Sequence, residues 1–366
     1  MFINPNKNSI HKYYMSLALM QAERSLGNTK ENPSVGCVIV KNNNVISSGY
    51  TSHNGRPHAE INAIKGSKVS VKNSSMYITL EPCSHYGKTA PCINKIINKK
   101  VKKVFFSVND PHPRSYKKSI KFLKKKNIKT NSGILSSRIN HFYKSYFLYK
   151  SNDLPFVTLK LAISKDYMTI DKKKRWITNL YSRSRVHLMR SNHDCIITSY
   201  KTINTDNPLL NCRINGLEKN SPIIIILDKN LKTKINSKIV NNKKNKTIIF
   251  YNKFNAQKIN TFKKNGIKII KTSLNSHNNL DLTKILIKTK KLGFSRIFVE
   301  SGKNLSTSFL KNNLVNEFKL FISNNELKKN GTGSFKKYFT TYLKNKKSIL
   351  DKVYLFDEKL ISYKIK

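Results

Sequence analysis

Residues 75–108, SMYITLEPCSHYGKTAPCINKIINKKVKKVFFSV, decide the fold class of the first half of the chain. A strand pattern, SMYITL, comes first; a loop with two cysteines follows, then a helical pattern, CINKIINKK, and a second strand pattern, KKVFFSV. Alternation of short β-rich runs with helical stretches predicts a sheet covered by helices. The stretch therefore predicts an α/β fold, with Cys83 and Cys92 in a loop between strand and helix.

The residues before this stretch extend the same pattern. Residues 9–26 predict an amphipathic helix with Tyr13, Leu17, Met20 and Arg24 at helical spacing, ended by Gly27 and Asn28. SVGCVIV and NVISSGY flank the turn-forming KNNN and predict a hairpin. HAEINAIKG predicts a further helix, whose start is marked by Pro57.

A second unit is expected to begin near the polar connector SNDLP. The 366 residues exceed what one hydrophobic core usually supports, so we expect domains at 1–150 and 151–366. Six β-rich runs with helical stretches between several of them predict a second α/β domain. The runs are LPFVTLKLAIS, HDCIITS, PIIIILD, KTIIFY, GIKIIKT and SRIFVES.

The chain is strongly basic, because 70 Lys and Arg against 19 Asp and Glu give a net charge of +51. Such a charge is typical of nucleic-acid binders and would also attract phosphorylated substrates. The lysines are spread along the whole chain with Asn and Ile, which indicates compositional drift. Because a nucleic-acid footprint requires clustering on one face, the sequence alone does not favour a nucleic-acid partner.

Cysteine usage and hydropathy indicate the compartment. The five cysteines are few and odd in number, which argues against a secreted disulfide framework. No signal sequence and no apolar run of about 18 residues occurs, so we expect a cytoplasmic protein without membrane contact. A homo-oligomer is compatible with the sequence.

His58, Cys83 and Cys92 form a candidate zinc site. Thiolates and imidazole suit Zn²⁺, and a catalytic zinc keeps three protein ligands with an open fourth position for water. Pro57 and Pro91 place His58 and Cys92 at helix starts, where a thiol ionises more easily. Glu60 is not needed as a ligand and could move protons between water and a leaving amine. The H-x-E half of the zinc deaminase signature therefore matches as HAE, whereas eight residues separate the cysteines instead of two.

Two other interpretations of the cysteines stay open. A structural zinc with His85 or Cys37 as a fourth ligand would explain the thiols but leave Glu60 without a role. A disulfide between Cys83 and Cys92 conflicts with a reducing compartment. Cys37 and Cys195 lie in apolar strand patterns and are predicted to be small buried residues.

Four motifs in the first half carry a family resemblance: NPSVGCVIV, HAEINAI, TLEPCSHYGKTAPC and VNDPHPR. In this order they resemble the deaminase half of the bifunctional riboflavin-biosynthesis deaminase/reductase family, where the longer cysteine loop is the rule. The resemblance implies a cytidine-deaminase-like three-layer α/β/α domain. It also implies a pocket for a ribosylated aminopyrimidine 5′-phosphate lined by Asn32, Lys88 and Asp110. Thr51 and His112 differ from the residues usual in the family.

LPFVTLKLAIS, RWIT, TSYKTINTDNPLLNCR and RIFVESGKNL resemble the reductase half of the same family. The resemblance implies a dihydrofolate-reductase-like α/β domain that uses NADPH. The implied cofactor residues are Ala162, Trp176, Thr202, Asp206 and Gly302. The implied substrate residues are Lys174, at a position that contacts substrate, and Arg190, Leu210, Arg213 and Glu300 near the ribose phosphate. No G-x-G-x-x-G follows a strand, and without the resemblance the arginines would be interpreted as solvated surface residues.

We expect both activities: zinc-dependent hydrolytic deamination of the aminopyrimidine, then NADPH-dependent reduction of its ribosyl chain to ribityl. Departures from the family pattern concentrate in the second half, where Tyr167 replaces a glycine and Lys174 a serine. Two alternatives stay open. One is a deaminase whose reductase domain has decayed, and the other is a nucleic-acid-editing zinc deaminase.

Overall fold

The computed structural model describes residues 7–242 and 246–366, with side chains from residue 9 onward. The chain divides into two compact units between Asn152 and Asp153. None of the helices in these described ranges combines the length and the apolar character that a bilayer crossing requires.

The first unit contains five helices and five strands among its described residues. In chain order they are α1 (Lys7–Glu23), β1 (Gly36–Lys41), β2 (Asn44–Tyr50), α2 (Ala59–Lys65), β3 (Ser75–Leu80), α3 (Cys92–Asn98), β4 (Lys103–Val108), α4 (Lys118–Lys124), β5 (Lys129–Ser132) and α5 (Ser136–Ser151). The strands form one sheet in the order β2-β1-β3-β4-β5. β1 is antiparallel to both neighbours, and β3, β4 and β5 are parallel.

Two glycines allow helices to approach this sheet from both faces. A Cβ on Gly36 would overlap backbone atoms of Ala18 and Ala22 in α1, and one on Gly49 would overlap the backbone of Ala59 and Ala63 in α2. Gly49 pairs with Cys37, the neighbour of Gly36, so the two glycines face opposite sides of the pleat. α1 and α2 therefore cover opposite faces of the sheet, which gives three layers.

The helix predicted at residues 9–26 exists as α1, but two of the residues noted at helical spacing lie outside its buried face. Tyr13 and Met20 are 58% and 57% exposed. The buried side chains are Tyr14, Met15, Ala18, Leu19 and Ala22. Close approach to Gly36 requires small residues on the contact face, so the alanines decide which side of α1 packs inward.

The second unit has eleven strands and seven helices among its described residues. They are β6 (Phe156–Ile163), β7 (Ile170–Asp171), α6 (Leu180–Ser191), β8 (Cys195–Ser199), α7 (Tyr200–Asp206), β9 (Ile223–Leu227), α8 (Lys238–Asn241), β10 (Thr247–Tyr251), α9 (Ala256–Lys264), β11 (Lys268–Lys271), α10 (Leu282–Lys291), β12 (Arg296–Glu300), α11 (Lys303–Lys311), β13 (Glu317–Ile322), β14 (Gly331–Thr332), α12 (Lys336–Tyr342), β15 (Ser348–Leu350) and β16 (Lys359–Lys364).

The main sheet of this unit has the order β11-β10-β9-β8-β12-β6-β13-β16-β15. Its first seven strands pair in parallel, and β16 pairs antiparallel with β13 and β15. The chain leaves β8 towards β9 on one side and leaves β12 towards β13 on the other. β8 and β12 therefore flank a topological switch point, the position where open α/β sheets bind ligands at the carboxyl ends of their strands.

Tyr167 occupies a turn that favours glycine. Its φ is 66°, in the left-handed region where a residue with a Cβ is strained. The side chain packs against Phe339 with a ring distance of 5.2 Å, and the carbonyl of Tyr167 accepts from the N–H of Phe335 at 2.8 Å. Packing and this hydrogen bond offset the strain, so the turn after β6 forms without the glycine that the resemblance implies there.

We expect Gly36→Ala to lower the free energy of unfolding by about 3 kcal/mol or more, because overpacking would push α1 away from β1. Urea unfolding followed by circular dichroism measures the change. Gly87→Ala is the matched control, since the nearest atom to its added Cβ, Arg56 Nη2, would lie at an ordinary 3.8 Å. Equal losses in the two variants would contradict the steric role of Gly36.

Candidate active site

Three elements bring His58, Cys83 and Cys92 together. His58 is the residue before α2, and Cys92 is the first residue of α3. Cys83 lies in the loop after β3, and the N–H of Cys92 donates to its sulfur at 3.2 Å. The two helices thus begin at the same point, as predicted from Pro57 and Pro91.

The ligand atoms of these residues all lie within 4.8 Å of one another. His58 Nδ1 is 3.2 Å from Cys92 Sγ and 3.6 Å from Cys83 Sγ. A tetrahedral zinc with ordinary Zn–N and Zn–S lengths separates its nitrogen and sulfur ligands by about 3.6 Å, so the donor set fits the ion. Within residues 7–242 and 246–366, no fourth His, Cys, Asp or Glu joins the cluster. His85 instead bonds Ser115 Oγ through Nδ1 at 2.9 Å.

The thiols differ in how readily they ionise. The hydrogen bond between the two thiols lowers the pKa of Cys83 to about 4, although burial raises it. Hydrogen bonds with His58 and with the Cys92 N–H also lower this pKa. The same thiol–thiol bond, then burial and the charge of Glu60, raises the pKa of Cys92. Metal binding to this set is therefore coupled to loss of a proton.

Glu60 lies in the first turn of α2 and is 3% exposed. Burial, then the negative charge of Cys83, raises the pKa of its carboxyl group, although the charge of His58 opposes this. A carboxyl group with a raised pKa exchanges protons closer to neutral pH than an exposed one. Its position beside the three ligands suits a proton carrier.

Glu60, His58 and Cys83 line a cavity of about 300 Å³. Of the residues implied for the substrate, Asn32 and Asp110 line this cavity, whereas Lys88 is exposed and lies outside its wall. Asp110 is buried, and its Oδ1 accepts from the His112 N–H and the Tyr146 hydroxyl, both at 3.0 Å. The carboxylate of Asp110 is therefore held in one orientation.

The cavity wall also contains His112, a pocket position that departs from the family pattern, and residues to which the sequence assigned no role in the pocket: Arg56, His85, Thr89, Tyr146 and Lys150. Arg56 Nη1 donates to Thr89 Oγ1 at 2.6 Å and lies 3.4 Å from His58 Nε2. The rings of His85 and His112 stack with centroids 5.0 Å apart. Tyr146 and Lys150 come from α5, one helical turn apart, so only the folded chain reveals them.

Glu81 lines the cavity, but both of its carboxylate oxygens accept hydrogen bonds from other residues of the chain. Its Oε2 accepts from the Lys117 N–H at 3.0 Å, and its Oε1 accepts from the Ser119 N–H and hydroxyl at 3.2 and 2.7 Å. These bonds hold the start of α4. Glu60 is thus the cavity carboxyl group best suited to chemistry at the ligands.

In the second unit, two implied cofactor residues flank the switch point. Thr202 lies in the first turn of α7, after β8, and its N–H donates to Ser199 Oγ at 3.3 Å. Gly302 precedes α11, after β12, and a Cβ there would meet no atom within 4 Å. An open backbone at the start of α11 fits a phosphate of a dinucleotide, because helix N-termini offer N–H groups to anions.

The other implied cofactor residues lie in three different segments of this unit. Ala162 is the penultimate residue of β6, and Asp206 ends α7. Trp176 is 52% exposed, with the guanidinium carbons of Arg175 and Arg183 4.9 and 5.2 Å from its ring centre. Arg175 Nη2 donates to the Asp206 carbonyl at 2.6 Å. One arginine therefore connects Trp176 with Asp206.

Arg190 and Glu300, both implied for the ribose phosphate, bind each other. Arg190 Nε and Nη2 donate to the Glu300 carboxylate at 2.9 and 2.8 Å, and Nη1 donates to the Asn211 carbonyl at 3.0 Å. Burial raises the pKa of Glu300, but the charge and hydrogen bonds of Arg190, helped by Lys160, lower it to about 2. The guanidinium of Arg190 is thus engaged by protein groups.

The remaining residues implied for the substrate differ in exposure. Leu210 is 3% exposed and its side chain belongs to the apolar core. Arg213 and Lys174 are exposed. Arg213 also donates to Asn211 Oδ1 at 3.1 Å. Arg213 is therefore a cation close to the Arg190–Glu300 pair that can reach a ligand.

Both halves of the chain match known protein families. Residues 8–108 match the cytidine and deoxycytidylate deaminase zinc-binding region, and residues 155–335 match the RibD C-terminal domain. The riboflavin biosynthesis protein RibD of Aquifex aeolicus is 32% identical over 316 residues, which cover 86% of this chain and 87% of that protein. The RibD of Buchnera aphidicola is 33% identical over 326 residues, covering 85% and 86%.

A solved structure, Acinetobacter baumannii RibD form 1, superimposes with a TM-score of 0.84 at 26% identity. The match covers 98% of this chain and 100% of that one. The family resemblance and the α/β class of both units are confirmed.

We expect Cys83→Ser and Cys92→Ser to lose bound zinc, because a serine oxygen replaces a soft thiolate ligand. Zinc content of the purified variants, measured by mass spectrometry, checks this. Cys212→Ser is the control, since Cys212 is buried in the second unit outside the cluster. Full zinc content in either ligand variant would contradict the site.

Proposed function

Since this chain belongs to the RibD family of riboflavin biosynthesis, whose members are deaminases and reductases that use Zn²⁺ and NADPH, we propose a substrate and a division of labour. The first unit deaminates a ribosylated diaminopyrimidinone 5′-phosphate. The second unit reduces the ribosyl chain of the product to ribityl. The observation that carries the proposal is the convergence of His58, Cys83 and Cys92 beside the buried Glu60 in a cavity.

Glu60 is the proton carrier of the deamination. When held by His58, Cys83 and Cys92, Zn²⁺ supplies a Lewis acid that makes water nucleophilic near neutral pH. Glu60 accepts a proton from the attacking water and delivers it to the amine that leaves as ammonia. A C–O bond forms and a C–N bond breaks at the ring carbon. Burial of Glu60 supports this role, because a raised pKa makes the carboxylate a better acceptor of the proton from water and brings its protonated form closer to neutral pH.

Asn32 and Asp110 orient the pyrimidine. The bonds from the His112 N–H and the Tyr146 hydroxyl fix Asp110 through Oδ1. Its other carboxylate oxygen can then accept a hydrogen bond from an amino group of the ring. Asn32 offers both a donor and an acceptor from the same wall. These contacts favour a ring that carries several amino groups.

Arg56 binds the phosphate of the substrate. It lies in the cavity wall, where its Nη1 donates to Thr89 Oγ1 and also lies close to His58 Nε2, so these two contacts direct the planar guanidinium. Arginine matches phosphate oxygens with paired N–H donors. Lys88, implied by the family resemblance, is exposed next to this wall and adds positive charge rather than a fixed contact.

The second unit binds NADPH at its switch point. NADPH supplies a hydride when bound, and the chain's task is to position cofactor and substrate. The start of α11 at Gly302 and the turn at Thr202 hold the cofactor from the two sides of the switch point. Arg213 holds the ribose phosphate. Glu300 positions Arg190, and through it the segment with Asn211 next to Arg213.

We place the protein in the cytoplasm. All five cysteines are free thiols, and two of them belong to the zinc site. Free thiols that serve as metal ligands suit a reducing compartment.

We expect Glu60→Gln to keep its zinc and to lose ammonia release by a factor of about 10² to 10⁴, because the proton transfer is removed. The same variant should oxidise NADPH normally when it receives the deaminated substrate. Ammonia assays and NADPH absorbance on one preparation separate the two activities. Glu81→Gln is less suitable as a control because Glu81 holds α4, so wild-type enzyme and zinc content serve instead. Normal ammonia release by Glu60→Gln would refute the assigned role.

We expect Arg56→Ala to raise KM for the phosphorylated substrate by about 10- to 100-fold, as the loss of a charge-assisted hydrogen bond predicts. The kcat should change little, and the dephosphorylated nucleoside should be deaminated at the wild-type kcat/KM. Lys88→Ala is the matched comparison and should have the smaller effect. An equal loss for both substrates in Arg56→Ala would instead indicate that Arg56 only supports the cysteine loop.

A further inference from the structure

The edge of the first sheet opposite the cavity is covered by lysines. The cavity lies at the carboxyl ends of β3 and β4, whereas β3, β4 and β5 begin at the other edge. Nine exposed lysines lie there, in the segments that precede these strands or end α3 and α4, and we call them the lysine edge: Lys72, Lys99, Lys100, Lys102, Lys103, Lys124, Lys125, Lys126 and Lys129.

Backbone contacts show that these segments are adjacent. The Asn73 N–H donates to the Lys100 carbonyl at 2.9 Å, and the Lys129 N–H donates to the Lys102 carbonyl at 3.1 Å. Lys103 and Lys129 are register partners in the parallel strands β4 and β5. Lysines that are separated along the chain therefore form one continuous surface.

The acidic residues of this unit lie elsewhere. Glu31, Glu60, Glu81 and Asp110 line the cavity. Glu23 ends α1, where the neighbouring Ala22 carbonyl accepts from Ser34 just before β1. In the described part of the chain, none of the nine lysines forms an ion pair. The lysine edge is thus an uncompensated positive surface, and its field reaches His11, whose pKa is lowered by burial and then by Lys103.

We propose that the lysine edge binds the phosphate backbone of single-stranded nucleic acid, a function separate from the deaminase and reductase activities. The even spread of lysine along the sequence argued for drift, but the fold gathers these residues on one face, which is the requirement for a footprint. Whatever the origin of the lysines, this geometry decides what they attract. Binding here leaves the cavity at the opposite edge accessible.

The composition of the surface favours nucleic acid over a protein partner. Lysine is depleted from protein–protein interfaces, which need an apolar centre inside a polar rim. The edge instead combines flexible cations with Phe122, which is 48% exposed on α4 and can stack on a base. α3 and α4 have seven residues each and end at this surface, so neither offers a long helix for the major groove of a duplex.

The test compares two triple variants of the full-length protein. One carries Lys102→Gln, Lys125→Gln and Lys129→Gln; the matched control carries Lys219→Gln, Lys264→Gln and Lys352→Gln, at exposed sites in separate segments of the second unit. Fluorescence anisotropy with labelled oligouridylate is measured across salt concentrations. Because each phosphate contact contributes about 0.7 to the salt slope for single strands, we expect the first triple to lose about 2 from the slope and about tenfold or more in affinity.

The control triple should bind nearly as well as wild type, and both triples should release ammonia at the wild-type rate. Equal losses in the two triples would show a diffuse effect of net charge and overturn the proposal. Competition by the aminopyrimidine substrate would place the nucleic acid in the cavity and would also overturn it. Binding to phosphatidylserine vesicles or to polyglutamate that exceeds binding to oligouridylate would assign the surface to a membrane or to an acidic protein instead.

Discussion

The site of the first unit depends on two helices that start at one point. α2 and α3 both begin at the carboxyl edge of the sheet, so His58 and Cys92 are delivered to the same place although they are distant in sequence. The N–H of Cys92 also stabilises the Cys83 thiolate. Backbone geometry thus assembles and partly ionises the donor set, and loop length between the cysteines matters little. This explains why a loop of eight residues can replace the shorter spacing of other zinc deaminases.

Close packing of the sheet is what keeps those helix starts fixed. Gly36 and Gly49 let α1 and α2 touch the sheet from opposite faces, so neither helix can slide without creating overlap or a gap. The same contact explains why hydrophobic spacing predicted α1 but not its buried face. Hydrophobic periodicity identifies large apolar side chains, whereas close contact with Gly36 requires small residues, here Ala18 and Ala22. Such pairing between distant segments is invisible in one sequence.

The sequence predicted β1–β4, β6, β8–β12 and the candidate zinc ligands because each carries a local signal. β3, α3 and β4 follow from alternating patterns, and His58 and Cys92 from the prolines before them. β16 was not predicted, since its alternation in KLISYKIK follows no turn signal and gains its place by pairing with β13. Arg56, Tyr146 and Lys150 also lacked a signal, because lining a cavity depends on tertiary contacts alone. Lys88 shows the converse: a motif position places the residue near the cavity but not in its wall.

The second unit shows how a site can keep its frame while individual residues change. Tyr167 takes the left-handed turn of a glycine, and its ring contributes packing against Phe339 that glycine would not provide. Arg190 and Glu300 form a buried ion pair. Loss of either residue would leave the charge of the other uncompensated, so selection for folding alone suffices to keep both. Their presence therefore says little about catalysis. The more informative residues are Gly302 and Arg213, because neither an open glycine before a helix nor an exposed arginine beside an ion pair stabilises the fold appreciably.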